Sequence, residues 1–473
     1  MEKRFSRRVF LKLAGSITMA TAVAACAATP APTPPPAGAT EVATTPAEEK
    51  ATVAPPTPAV TAITLRYRTW HTREANPGDG EWYDWLIANY PADHPGVTIE
   101  VEFVPFGSEY IQKVLADVAA GTPPDLLHSS IIWARDFYDR GVLLDLNDYL
   151  DQVPELAPDM FLGEATNEYR SKGGKYYGVP WEGPDSSVVA LNSSLFEEAG
   201  FDPKGADIKT WDDFVRVAKA LTKEEGGEVV QAGFLVGSMR YIEGFATWMY
   251  TNGGALHDRE ITKPTFNNER GEQVVQFQLD LLNTHKVSFP ISPERQDSQL
   301  FMQGKTAMVH WGTWCHKMIA ANAPAGFKYW LIPFPQGPMG ERPAVTTWSN
   351  MFVLPKKTKN PDAAFELMRF CTTPPGLLKR FELSARTTPH KSIFESETWQ
   401  KMVAQFPALA QTPVVAELGG VYPFFPCFTE ANDAIGTELE QVMVGQKGVK
   451  EALAEAERKV IEVLERRKSA IGA

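Results

Sequence analysis

Hydrophobic and polar positions alternate with period two from Ile63 to Thr69. They do so again across Val97, Ile99, Val101 and Phe103, which face away from Thr98, Glu100 and Glu102. Each stretch predicts a β-strand with one buried face. Between them Trp82, Trp85, Leu86, Asn89 and Tyr90 fall at helical spacing, so a strand–helix–strand unit and a parallel sheet are expected. A second helix from about Tyr110 to Ala120 stops at Gly121, and Pro123-Pro124-Asp125 leads into a short apolar strand near Leu126 and Leu127. Ser187 to Leu191 reads as a buried strand, followed by a helix that Ser193 or Ser194 can cap and Gly200 can end. Thr210-Trp211-Asp212-Asp213 has the form of a capping box ahead of Phe214, Val217, Ala218 and Leu221. Helices near 240–251, 271–285, 361–371 and 431–444 follow, with strands near 306–311 and 350–354. A last amphipathic helix carries Val449, Leu453, Ala456, Val460 and Val463 on one stripe. The pattern is that of a mixed α/β protein without internal repeats.

The first residues do not share this pattern. Lys3, Arg4, Arg7 and Arg8 precede an apolar or small run from Leu11 to Ala25, interrupted by Lys12. A basic start and a short apolar run predict an export signal rather than a membrane span. Ser6-Arg7-Arg8-Val9-Phe10-Leu11-Lys12 resembles a twin-arginine export motif, and Val23-Ala24-Ala25-Cys26 resembles a bacterial lipobox. The implied product is acylated on Cys26 after cleavage, which makes residues 1–26 signal and lipobox. Residues 27–62 are dominated by Ala, Pro and Thr. Such a stretch buries too little apolar surface to offset its ordering entropy and is expected to be a disordered tether.

Residues 63–473 are too many for one compact core and suit two lobes. The formal charge of −12 becomes −16 once residues 1–25, with five Lys or Arg and one Glu, are removed. An acidic surface without a basic cluster argues against nucleic acid as a partner. After Cys26 only Cys315, Cys371 and Cys427 remain, enough for at most one disulfide.

Enzyme signatures are missing from the sequence: no nucleophile elbow, no phosphate loop and no paired-histidine zinc motif. His310 and His316, near Cys315, are not spaced to share a helix face, so no metal site and no cofactor are expected. Glu182 and Asp185 lie three apart in a Gly-Pro turn, whereas glycosidase carboxylates flank the scissile bond from opposite sides. The aromatic supply is more informative. Of twelve tryptophans, Trp70 ends the first strand, Trp181 follows Gly178-Val179-Pro180, and Trp248 precedes Asn252-Gly253-Gly254. Trp311-Gly312-Thr313-Trp314 ends another strand, and Trp348-Ser349-Asn350 leads into the next. Ligands of open α/β sheets sit beyond the carboxyl ends of strands, and indole rings stack on the C–H faces of sugars with little rotamer entropy to lose.

Several stretches, in order, resemble the bacterial extracellular solute-binding protein family 1, which includes the maltose-binding proteins. They are Tyr90-Pro91 through His94-Pro95-Gly96-Val97, Ala120-Gly121-Thr122-Pro123-Pro124-Asp125, and Tyr177-Gly178-Val179-Pro180. Leu191 to Pro203, Thr210 to Phe214, Phe301 to Trp314, and Lys357 to Phe365 continue the series. The resemblance spans essentially residues 63–468. It implies a periplasmic-binding-protein-like α/β fold, with two α/β lobes joined by hinge strands around a ligand cleft. The expected division is 63–180 plus about 310–385 for lobe 1, and 181–309 plus about 386–473 for lobe 2. Hinge crossings are expected near Gly178–Ser187, Trp330–Trp348 and Arg386–Pro389.

By the same resemblance Trp314 is the stacking tryptophan. Phe245, Trp248, Trp181, Glu182 and Asp185 are placed at ligand-facing positions. Trp70, His71, Ser129, Ser130, Trp348, Ser349 and Asn350 lie on cleft-edge loops, with Arg386 and Tyr422 as further contacts. The implied protein is not an enzyme. It would be an exported, lipid-anchored monomer on the outer face of the cytoplasmic membrane that binds a sugar or oligosaccharide and passes it to an ABC permease. The same fold around a polyamine or glycerol phosphate, and a secreted carbohydrate-active enzyme, are the alternatives.

Overall fold

The computed structural model describes residues 62–74, 77–162, 170–239, 242–291, 297–420 and 425–471. The expected export signal, Cys26, the tether up to residue 61 and Tyr422 lie outside them. β1 (Ile63–Thr69) and β2 (Val97–Phe103) pair in parallel, Ile63 opposite Val97 and Thr69 opposite Phe103. α1 (Asp79–Asp93) makes the crossover and buries Trp82, Leu86 and Tyr90, the stripe that the spacing marks. α2 (Ser108–Ala120) ends at Gly121, whose φ of 75° is the left-handed conformation that glycine adopts without strain. β3 (Leu126–Ser130) joins β1 on its other side, and α3 (Ile131–Asp139) follows without a loop.

β4 (Val179–Asn192) is buried throughout and nearly three times as long as the expected 187–191 strand. Its first half was hidden in the sequence by Gly183-Pro184, residues that read as a turn. The strand continues through them, and its pairing with β9 shifts register on both sides of Asn350. α4 (Ser193–Glu198) is capped by Asn192, not by either serine, because the Asn192 carboxamide accepts from the backbone N–H of Ser194 and Leu195 at 3.1 and 3.3 Å. The Thr210–Asp213 capping box forms in both directions at the head of α5 (Trp211–Leu221).

The chain continues through β5 (Lys223–Glu225), β6 (Glu228–Leu235), α6 (Glu243–Thr251), α7 (Glu269–Leu279) and α8 (Asp297–Met302). β7 (Thr306–Gly312), α9 (His316–Asn322), β8 (Tyr329–Ile332) and β9 (Val345–Val353) come next. The last elements are α10 (Pro361–Thr372), α11 (Gly376–Ser384), α12 (Glu397–Gln405), α13 (Gln411–Glu417), β10 (Gly419–Gly420), α14 (Phe428–Met443) and α15 (Val449–Ile471).

These strands form one mixed sheet ordered β2-β1-β3-β9-β4-β7-β6-β5, with β8 beside β4 and β10 beside β9. Its centre is a change of partners along β4. From Val179 to Ser186 the strand pairs with β9, and from Ser187 to Leu191 it pairs with β7. β8 pairs with the same second half, Ile332 opposite Val189. The largest core cluster spans this change, joining Tyr110, Leu127 and Val353 to Val189, Leu191 and Trp248, and two smaller clusters lie to either side of it. Tyr67, Trp82, Leu86, Trp181 and Phe352 cluster around β1 and the first half of β4, while Val188, Ala190, Val309 and Trp311 cluster around its second half. Cys315, Cys371 and Cys427 are all free thiols. Among the described residues no helix is long and apolar enough to cross a membrane.

Candidate ligand-binding site

The partner change on β4 draws together residues that are remote in sequence. Asp185 lies opposite Trp348 on β9, and Ser187 lies opposite Gly312 on β7, two residues before Trp314. Asn350 pairs with Ser130 at the end of β3 and with Glu182 on β4. Trp70 and His71 follow the carboxyl end of β1, next to β3. Around this point lies a cavity of about 350 Å³, within the range of small-molecule sites. Trp70, His71, Ser130, Asp185, Trp314, Trp348, Asn350 and Arg386 all reach its wall.

Two glycines make this geometry possible. A Cβ on Gly183 (φ 111°) would lie 2.8 Å from both the Trp348 carbonyl oxygen and Ser349 Oγ. A Cβ on Gly312 would sit 1.9–2.2 Å from ring carbons of Trp314, so the indole folds back over a bare backbone. The Trp314 and Trp348 rings are then 5.5 Å apart and inclined at 57°. Trp70 is fixed from the other side, stacked on His128 at 3.7 Å and 16° and edged by Tyr110 and Trp133.

Phe106, Glu243 and Phe428 complete the wall and were not singled out in the sequence. Phe106 is 55% exposed between Pro105 and Gly107, and an aromatic in such a loop was the available signal.

The structure puts the other expected residues elsewhere. Trp181 is in the core, stacked on Phe352 at 4.3 Å. Phe245 and Trp248 are buried on α6, with Trp248 edged by Trp211, Phe214, Phe277 and Phe334. They border a separate recess of about 40 Å³. Ser129 and Ser349 point away from the cavity, since alternate side chains of a strand face opposite sides and Ser130 and Asn350 take the cavity side.

Glu182 is buried beneath the wall. Its Oε2 accepts from Asn350 Nδ2 at 2.8 Å, and Oε1 contacts the Arg380 guanidinium. His71 Nδ1 is 3.3 Å from Oε1, and His128 Nε2 is 3.5 Å from Oε2. Burial alone would raise this carboxyl, but Arg380, His71 and Arg386 outweigh it and hold Glu182 well below the usual carboxylate range. Asp185 goes the other way. Burial, then the Glu182 charge, push it up to about 7 against the pull of Arg386 and Arg380. Burial and their neighbours thus push the two acids of the pair in opposite directions, Glu182 toward the anion and Asp185 toward the neutral acid. Burial also drives the His128 imidazole down to about 3.

A larger hollow of about 1130 Å³ lies between Glu228, Leu282, Phe289 and α14. It carries no comparable meeting of aromatic and polar side chains.

The family model described as bacterial extracellular solute-binding protein matches residues 74–377. The chain belongs to this family. One relative is a protein of Brucella abortus named as a putative binding protein, 26% identical over 311 residues that cover 62% of this chain and 68% of the relative. An ABC transporter extracellular-binding protein of Pyrococcus horikoshii is 23% identical over 322 residues, 67% of this chain and 71% of the relative. Among solved structures, the sugar-binding protein MalE of Xanthomonas citri superposes with a TM-score of 0.72 at 18% identity, covering 87% of this chain and 99% of that one. The solute-binding fold expected from the sequence, α/β and periplasmic-binding-protein-like, is the one observed.

Proposed function

We propose that this solute-binding protein is the exported receptor of an ABC importer and holds a sugar or oligosaccharide in the cavity at the β4 crossover. One observation carries the reading. The indoles of Trp70, Trp314 and Trp348, from three separate strand regions, meet at one cavity whose polar wall is Ser130, Asp185, Asn350 and Arg386. Rings that stack on C–H faces, beside groups that bond hydroxyls, suit a saccharide. The names of the Xanthomonas and Pyrococcus proteins support sugar binding and ABC transport respectively.

In this reading β1–β3 and the first half of β4 belong to one lobe, while its second half with β5–β8 belongs to the other. β4 and β9 serve as hinge strands about which the lobes rotate shut. The chain works as a monomer, anchored through a lipid on Cys26 and held off the membrane by the 27–62 tether, and its closed form docks on the permease.

Two alternatives lose support. A polyamine would call on Glu182 and Asp185 together, but the Glu182 carboxylate is already engaged by Arg380 and Asn350. Hydrolysis would call on the same two acids from opposite sides of a bond, and they stand on one strand, with Glu182 beneath the wall. Thermal shift and calorimetry on the full chain, against mono- and oligosaccharides and spermidine, test the proposal. A sugar that binds only the folded state raises the melting temperature. A rise with spermidine and with no saccharide refutes it.

A further inference from the structure

Beneath the cavity floor four side chains from four elements converge, three of them with polar atoms that lack a hydrogen-bond partner among the described residues. His71 follows β1, Asp79 opens α1, His128 is on β3 and Glu182 is on β4. They are 7%, 1%, 0% and 1% exposed. His71 Nδ1 lies 3.3 Å from Glu182 Oε1 and 3.9 Å from Asp79 Oδ2, and His128 Nε2 lies 3.5 Å from Glu182 Oε2. The donor atoms of His71, His128 and Glu182 all fall within 4.8 Å of one another. Yet among the described residues His71 Nδ1, His128 Nε2 and both Asp79 carboxylate oxygens have no hydrogen-bond partner. Buried polar atoms are rarely left so, and four in one place need an explanation.

We propose that His71, Asp79, His128 and Glu182 bind a single divalent transition-metal ion, zinc by ligand type, as a structural site under the cavity floor. Nitrogen and carboxylate ligands at bonds of about 2.0–2.2 Å around one ion are themselves separated by about 3–4 Å. The two histidine–Glu182 distances and the His71–Asp79 distance fall in that range, and the rest of the His71, His128 and Glu182 cluster lies within 4.8 Å. The outer contacts fit as well. Ligating histidines are oriented through their second nitrogen, and ligating carboxylates through hydrogen bonds to their oxygens. His128 Nδ1 meets Thr69 Oγ1 at 3.0 Å. The His71 backbone is held at both ends, its N–H donating to Thr69 Oγ1 and its carbonyl accepting from Tyr83 Oη. Glu182 accepts from Asn350 and Arg380, and each carboxylate oxygen keeps a second lone pair for a metal.

The nearest fixed cations are the Arg380 and Arg386 guanidiniums. Arg380 lies 4.0 Å from Asp79 Oδ1, and Arg386 Nε lies 3.9 Å from Asp79 Oδ2. Against these two positive charges stand the two carboxylates of the cluster, Asp79 and Glu182, a formal balance. The ion joins β1, α1, β3 and β4 directly behind His71, and so stiffens the cavity wall. The inference does not depend on which solute is carried.

Calorimetric titration of the chelator-stripped full chain with Zn2+ tests it. One ion is expected per chain, with a higher melting temperature, and Co2+ is expected to give the visible absorption of a four- or five-coordinate site. His71→Gln and, separately, His128→Gln weaken Zn2+ binding at least tenfold. His71→Gln lies nearer the solvent, so it keeps the test usable if the His128 variant folds poorly. Failure of the wild-type chain to take up Zn2+, or equal uptake by the folded His71→Gln variant, overturns the proposal. A six-coordinate aquo spectrum with Co2+ does the same.

Discussion

The guanidinium carbon of Arg380 lies 3.9 Å from the centre of the Trp181 indole while the same side chain contacts Glu182. A cation over an aromatic face is a strong contact once desolvated, and here it occupies the face a sugar would need. Trp181 therefore serves the core. Trp181→Ala is expected to lower unfolding stability by about 3–5 kcal/mol, measured by urea denaturation, with a smaller effect on sugar affinity than Trp314→Ala. An equal or greater loss of affinity would return Trp181 to the ligand.

Trp314→Ala removes a stacking face at the cavity. Sugar affinity should fall by about 1–3 kcal/mol, read by calorimetry with whichever saccharide the panel identifies. Unchanged affinity takes Trp314 out of the site.

Gly312→Ala probes the same ring without touching it. The added Cβ must displace the Trp314 indole, because it would fall within 2.2 Å of ring carbons. The variant is expected to lose affinity in the manner of Trp314→Ala, by on the order of 1 kcal/mol or more, and to show altered tryptophan fluorescence. A variant that binds like the wild type would mean the indole has another place from which to work.

Arg467 on α15 donates to Asp136 at 2.9 Å and to Asp139 at 2.6 Å, tying the C-terminal helix to α3. All three side chains are mostly buried. Arg467→Ala should cost more than the ~1 kcal/mol of an exposed pair and approach the ~3–5 kcal/mol of a broken buried one. The check is a denaturation midpoint at low and high salt. A cost under ~1 kcal/mol would show that Lys172, which also reaches Asp139, compensates.

Glu438, buried on α14, contacts Lys447 and Lys459. Burial opposes its ionisation, but the two lysines prevail and hold the carboxyl below its usual range. A depressed acid contributes stability above its ordinary value near 4.3 and loses it as pH falls through the lowered one. Glu438→Gln should therefore cost about 1–3 kcal/mol at pH 7 and progressively less below about pH 4. A cost independent of pH would contradict this.

Much of the fold was legible because its signals are local. Period-two alternation marks β1 and β2 wherever they end up, and Thr210 with Asp213 completes a capping box out of four consecutive residues. The motif around Gly312 and Trp314 was equally readable, since a bare backbone two residues from an indole is a local arrangement. Other features depend on partners distant in sequence. The first half of β4 looked like a turn because Gly183-Pro184 disfavours a strand in isolation, and only pairing with β9 makes it one.

The choice among tryptophans was decided the same way. Trp181, Trp248 and Trp314 all stand near loop residues, and although the resemblance singles out Trp314 for stacking, it places all three at the ligand. The fold brings Arg380 from α11 and Phe352 from β9 onto Trp181, closes Trp211, Phe214 and Phe334 around Trp248, and leaves Trp314 on the cavity wall. Glu182 and Asp185, three residues apart, are likewise pushed in opposite directions, Glu182 down by Arg380, His71 and Arg386, and Asp185 up by burial and the Glu182 charge. Sequence alone determined which residue types were on hand and which local elements they form. Tertiary structure alone decided which faces were covered and which charges were paired, because burial and electrostatic neighbours are set by residues far along the chain.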